Sequence, residues 1–265
     1  MRSMSRRTVA QAAVGMGMGG FAIGRIASVF AQGATPVMPV QPLAYASLRI
    51  RQLSDAALRP EIDEIVVNEF APVVQALDGY AGYLLGDVIE DATQNLSLVV
   101  MSEASQIGGF DTAAEEFVAG LDPKFEVETP TTAEGDVLAI GAPPVSDATP
   151  MATPVVEGAA VSGYAAVRIY ESLPDTDPRE FAPLVANGFV PIVQALSGFE
   201  GYLYFVTEGG FVSVSIFDSE ESAMQSNEEG VAWSAENLTA YTPGNPQIIN
   251  STIVFADLPV LQLGV

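Results

Sequence analysis

IVVNEFAPVVQALDGYAGYLL, residues 65–85, recurs as LVANGFVPIVQALSGFEGYLY, residues 184–204. Asn68 and Asn187, Phe70 and Phe189, Pro72 and Pro191, Gln75 and Gln194, and Gly82 and Gly201 all stand 119 positions apart. That period is too long for a solenoid unit and matches a small domain. The chain therefore reads as two related domains in tandem, and a pseudo-dimer within one chain is their natural packing.

Both stretches sit in the same order of elements. Upstream, Tyr45–Gln52 and Tyr164–Tyr170 alternate as strands. A helix follows, with Ile65, Val66, Phe70, Val73, Val74 and Leu77 at helical spacing in the first unit, and Leu184, Val185, Phe189, Ile192, Val193 and Leu196 in the second. Asp177-Pro178-Arg179-Glu180 supplies an N-cap, a first-turn proline and an acid at the third position. Gly79 and Gly198 are placed to end these helices. Pro72 and Pro191 inside them predict kinks that free the carbonyls of Asn68 and Asn187. Hairpins come next, 81–88 with 95–102 and 200–207 with 211–218. The second turn is three residues shorter, so the offset falls to 116. A second helix carries Phe117 or Trp233; in the first unit Gly108-Gly109 predicts a break in it, with a restart at Asp111 or Thr112. Strands at 136–140 and 252–256 close each unit. The plan is βαββαβ twice, an α+β class of two ferredoxin-like repeats at 44–142 and 163–259. Each open sheet has a second face to bury, and packing the two sheets on each other does so.

The run Gln-Ala-Leu-x-Gly-(Tyr/Phe)-x-Gly-Tyr, followed by a hairpin and a helix bearing an aromatic, resembles the antibiotic-biosynthesis-monooxygenase-like branch of the dimeric α/β-barrel proteins. The resemblance covers both repeats and implies an intramolecular dimeric α/β barrel. Relatives of this kind include cofactor-independent monooxygenases acting on aromatic polyketides and haem-degrading enzymes. The haem-degrading members use a histidine, and this chain has none.

The flanks read differently. Ser5-Arg6-Arg7-Thr8-Val9, a Gly/Ala/Met-rich stretch to Phe30 and a small-residue site ending at Ala31 resemble a twin-arginine export signal over 1–31. This implies an exported, extracytoplasmic or secreted protein with no integral membrane segment after the signal is removed. Residues 32–43 read as a Pro-spaced tether, 143–162 as a Pro/Thr/Ala-rich linker and 260–265 as a tail.

Composition narrows the chemistry. The chain has 33 acidic and 10 basic residues, a formal charge of −23. Without the four arginines of 1–31, the 33 acids face 6 bases, a charge of −27. Phosphate backbones need clustered Lys and Arg, so a nucleic-acid partner is excluded. With no cysteine and no histidine, thiolate and imidazole nucleophiles, bases and metal ligands are all missing. Capping explains Asp177 and Glu180 without calcium. No metal and no cofactor are expected.

Strand alternation divides the faces. Ala165, Val167 and Ile169 are assigned to the helices and Tyr164, Ala166, Arg168 and Tyr170 to the opposite face. The same rule sends Tyr45, Ser47, Arg49, Arg51, Tyr83, Tyr202 and Tyr204 inward, so that six of the eight tyrosines and the matched pair Arg49 and Arg168 line the barrel. Arg49, Arg168, Tyr83, Tyr170, Tyr202 and Tyr204 would then bind a small aromatic or anionic ligand. Alternatively, each arginine pairs with a carboxylate such as Asp87, Glu171 or Asp218 and braces the halves. Arg168, Tyr202 and Trp233 are the catalytic candidates, with Trp233 either packing under its helix or stacking on a substrate. Three functions stay open: a ligand-binding exported protein without catalysis, a cofactor-independent monooxygenase, and a structural or partner-binding surface protein.

Overall fold

The computed structural model describes residues 41–143, 163–242 and 244–263. The expected signal, most of the tether and nearly all of the linker lie outside the described residues.

Eight strands form one closed, wholly antiparallel barrel: β1 (Ala44–Gln52), β2 (Tyr80–Val88), β3 (Gln94–Met101), β4 (Thr131–Gly141), β5 (Gly163–Glu171), β6 (Phe199–Thr207), β7 (Gly210–Phe217) and β8 (Gln247–Asp257). Around the barrel the order is β1-β3-β2-β8-β5-β7-β6-β4. Each half has the same internal order, β4-β1-β3-β2 in the first and β8-β5-β7-β6 in the second. The halves meet edge to edge, through β2 with β8 and β4 with β6. Both last strands run 11 residues, longer than expected, because each pairs within its own half and across a seam. Closure leaves no unpaired edge.

Closing the sheet inverts the assignment of its faces. The lumen is a dry cluster of Ala46, Leu48, Leu84, Leu98, Val100, Val137, Ala165, Val167, Leu203, Phe205, Val212 and Val214, drawn from both halves. An eight-stranded barrel is narrow enough for side chains to fill, and here they do. The larger residues, with Arg49 and Arg168 among them, therefore face outward beneath the helices. Tyr83 packs with the first-half helices; Tyr170, Tyr202 and Tyr204 pack with those of the second. One residue of the stretch read as a tail is core as well. Val260 is buried in the lumen cluster. Gly82 and Gly201 lie at matched register shifts and leave room for Leu258 and Leu261, since a Cβ at either would meet the leucine within 2.8 Å.

The first helix of each half is broken as the proline predicts. In the first half α1 (Arg59–Ile65) passes through a π-turn (Val66–Phe70) into α2 (Ala71–Gln75). In the second, a 3-10 turn (Pro178–Phe181) capped by Asp177 and α4 (Ala182–Leu184) pass through a π-turn (Val185–Phe189) into α5 (Val190–Gln194). A proline cannot donate to the carbonyl four residues back, and the wider turn absorbs the missing bond. The extra residue also rotates the apolar stripe, so Val73 and Leu184, expected in the core, are exposed. Gly79 and Gly198 end these helices with positive φ of 75° and 66°. The second helices, α3 (Ile107–Gly120) and α6 (Glu220–Asn237), are continuous; Gly108-Gly109 does not break α3. Gln75 donates to Asp257 at 2.7 Å and Gln194 to the Ala142 carbonyl at 2.9 Å, so each helix clasps a strand end beside a seam. Among the described residues no helix is long and apolar enough to cross a membrane.

Candidate ligand site

Between sheet and helices the two halves are built differently. In the first half a narrow crevice runs under α1, the π-turn and α3. Its walls are apolar, including Val66, Phe70, Leu85, Phe110 and Phe117. Arg51, Asn95 and Ser97 bring polar atoms to it from the sheet, and Tyr83 lines it too. The corresponding space in the second half is smaller still.

Strand register explains the difference. Arg51 on β1 lies opposite Asn95 on β3, which lies opposite Asp87 on β2. The equivalent row in the second half is Tyr170, Phe211 and Val206. Tyr170 and Phe211 stack with centroids 4.4 Å apart and planes 11° from parallel, filling the space. Two helix positions follow the same trend: Arg59 and Asp63 of α1 correspond, at offset 119, to Pro178 and Ala182. Five polar residues of the first half thus face Pro, Ala, Val, Phe and Tyr in the second.

The polar row is incompletely satisfied. Asn95 is 7% exposed and its Oδ1 has no hydrogen-bond partner. Such a group costs about 1–3 kcal/mol unless something supplies the bond. Arg51 makes no ion pair among the described residues. Burial and then the charge of Arg49 depress its pKa, so an anion beside it would relieve both. Arg51, Ala114, Val118 and Val127 also line an outer groove, which places Arg51 at the mouth.

Behind Asn95, Asp63 and Asp87 approach each other from α1 and β2. Arg59 reaches Asp87 at 3.2 Å and donates to the Ala92 carbonyl at 3.1 Å. Burial, and then the charge of Asp87, push the Asp63 carboxyl up to about 7 against the pull of Arg59. Asp87 is also raised, first by burial. The two carboxyls titrate as a pair that holds a proton near neutrality.

The residues singled out from sequence are divided between the halves. Arg49 is ion-paired to Asp111, stacks over Phe110 at 4.5 Å and receives support from Ser47, so it is a bracing group. Its partner is none of the carboxylates anticipated. Arg168 is wholly buried and bonds to Ser213, Ser215 and Ser226. Tyr202 packs edge-on to Phe189, Tyr204 donates to the Pro178 carbonyl at 2.9 Å, and Trp233 lies against Phe189 at 5.5 Å. Of the named candidates only Tyr83 reaches the crevice. Asn95, Asp63 and Arg59 escaped notice; setting the halves side by side at offsets 119 and 116 exposes them as polar positions matched by apolar ones.

No protein-family model matches the chain, and no curated protein matches it by sequence. Solved structures match by shape. A candidate monooxygenase of Fusobacterium nucleatum superposes with a TM-score of 0.61 at 9% identity, covering 82% of this chain and 95% of its own. An anthrone oxidase-like protein gives 0.54 at 15%, covering 84% and 96%. A chlorite dismutase variant from Candidatus Nitrospira defluvii gives 0.52 at 11%, covering 84% and 95%. At these identities the likeness is one of fold: this chain shares with those structures an α+β fold built on an eight-stranded antiparallel barrel.

Proposed function

We propose that the first half binds a small, flat, mainly apolar molecule in its crevice, with an anionic or carbonyl oxygen against Arg51 and a hydroxyl or amine donor against Asn95 Oδ1. The observation that carries this is the row Arg51–Asn95, unpaired and beside empty space, where the other half has a stacked Tyr170–Phe211 pair. The ligand lies under the helices and not in the lumen, which is filled by Phe205, Leu203 and their neighbours. The halves descend on this view from one doubled unit that packs as a pseudo-dimer, and only one retains the site. The segment 1–31 directs export by the twin-arginine route, so the ligand is met outside the cytoplasm.

Titration with an anionic naphthalene fluorophore tests the site. One equivalent should bind with enhanced emission, and Arg51→Met should weaken binding about 10-fold, one lost charge-assisted contact. Equal binding by the variant overturns the assignment.

A second reading is a cofactor-independent oxygenase. It is favoured by the monooxygenase and oxidase-like names of the matching folds. Arg51 would hold the oxygen of a substrate anion that reacts with molecular oxygen, and Asn95 Oδ1 would accept from a second hydroxyl of that substrate. Oxygen uptake with electron-rich phenols, abolished in Arg51→Met, would support it; uptake unchanged in that variant would remove it.

A further inference from the structure

The second half contains a positive charge with no counter-charge. Arg168 is 0% exposed. Its Nη1 donates to the Ser213 and Ser215 hydroxyls, each at 3.2 Å, and its Nη2 to the Ser226 hydroxyl at 2.6 Å. All three partners are neutral, and Nε has none. The Phe189 ring lies 5.5 Å from the guanidinium and adds only the weak attraction of its face. A sealed and unpaired cation is among the most costly things a protein interior can hold.

The first half shows what is missing. Arg49, the counterpart of Arg168, meets the carboxylate of Asp111. At offset 116, Asp111 corresponds to Asn227. Asn227 donates to Asn250 at 2.7 Å, and its own Oδ1 is buried without a partner. The second half has kept the arginine and lost the acid.

Hydrogen-bond donors remain unused around this charge. Tyr202 is fully buried and its hydroxyl has no partner. Burial raises its pKa, so it stays a neutral O–H that can donate. Tyr202, Ser213 and Gly230 line the small residual space under α6. The Nε of Arg168 lies against Gly230, where an added Cβ would sit 2.8 Å from it. Ser226 already directs its proton to the Ala223 carbonyl at 2.7 Å and Ser213 points towards the Tyr202 oxygen, which leaves Ser215 and the Tyr202 O–H without acceptors among the described residues. The free groups are donors surrounding a cation, in a space enclosed by aromatic rings and too small for a substrate.

We infer that the second half binds a single monoatomic anion, of the chloride class, between Arg168, Tyr202 and Ser213. The anion takes the place of the carboxylate that Asp111 supplies in the first half. This site is independent of the crevice and of any activity there.

Thermal unfolding at fixed ionic strength, with sodium chloride exchanged stepwise for sodium gluconate, reads the site directly. The midpoint should rise with chloride by about 5 °C across a hundredfold range above the dissociation constant. Crystals soaked in bromide should show an anomalous peak beside Arg168. Asn227→Asp, which restores the acid of the first half, should remove the chloride dependence and show no bromide peak. Arg168→Met should do the same if it folds, but Asn227→Asp decides the matter alone. Identical wild-type midpoints in chloride and gluconate, an empty or water-filled position in the bromide crystals, or chloride dependence persisting in Asn227→Asp would each overturn the inference.

Discussion

Replacing Asp63 by asparagine should leave stability unchanged in mild acid and raise it above neutrality. Asp63 is 7% exposed and faces the Asp87 carboxyl, with Arg59 beside both. The charged groups acting on it are Asp87 from β2 and Arg59 from its own helix; Tyr83, Arg49 and Arg51 lie farther along the sheet. In the unfolded chain Asp63 ionises at its ordinary 3.8, whereas in the folded protein it is held to about 7. Between those values the folded state keeps a proton that the unfolded state has released. Stability from this group is therefore full below about pH 4 and declines as pH rises through 7. At about 1.36 kcal/mol per unit the ceiling is about 4 kcal/mol, and water entry with relaxation of Arg59 brings it to about 2 kcal/mol. The amide of the Asp63→Asn variant does not titrate and leaves Asp87 alone with Arg59. Urea unfolding of both proteins from pH 4.5 to 8.5 measures the difference, in which the other carboxylates cancel. The variant should match the wild type at pH 4.5 and exceed it by about 2 kcal/mol at pH 8.5. A difference constant with pH, or a variant weaker at pH 8.5, would refute the shared proton and make Asp63 an ordinary partner of Arg59.

Phe117→Trp puts the aromatic of the second half, Trp233, into the crevice; fluorophore binding should fall at least about 10-fold while the melting temperature moves by less than about 3 °C. Phe205→Ala removes a fully buried ring from the lumen and should cost about 3–5 kcal/mol in denaturant unfolding; a loss under about 1 kcal/mol would show that the lumen is not packed. Gly135→Ala places a Cβ 1.6 Å from the Val206 carbonyl oxygen at the β4–β6 seam and should cost more than about 2 kcal/mol. Gly108→Ala, within α3 with open space around it, should gain about 0.5–1 kcal/mol in the same assay.

The order of elements was legible because a repeated helix-and-hairpin motif fixes every other element by its offset. Its faces were not. Alternation shows that Arg168 and Tyr170 point one way and Ala165 and Val167 the other, but in a closed barrel covered by helices both directions are buried. Size decides instead, because a narrow lumen takes Ala, Val and Leu and leaves the large polar-tipped residues to the wider layer beneath the helices. The exposure of Val73 and Leu184 was hidden for a related reason: a π-turn shifts helical phase by a residue without altering the sequence pattern. The crevice itself depends on how far side chains from three elements fall short of meeting. That distance has no one-dimensional signature, although the exchange of Asn95 for Phe211 near the start of a strand marks where to look.

The two halves differ in how the space beneath their helices is filled. Orphaned polar atoms weigh against both halves by about 1–3 kcal/mol each, Asn95 Oδ1 and Arg59 Nε in the first and Tyr202 OH and Asn227 Oδ1 in the second. A lone ferredoxin-like unit of about 100 residues, with only 5–15 kcal/mol in hand, would feel several of them acutely. Here both seams run through strands shared between the halves, and the lumen cluster draws on both. Opening the first half therefore exposes apolar surface of the second. The stacked Tyr170–Phe211 pair and the aromatic cluster around Phe181 hold that second half closed. Covalent fusion makes this asymmetry attainable, since two identical subunits would have to carry the same row twice. The crevice persists in one half, while Tyr170 and Phe211 fill the matching space in the other.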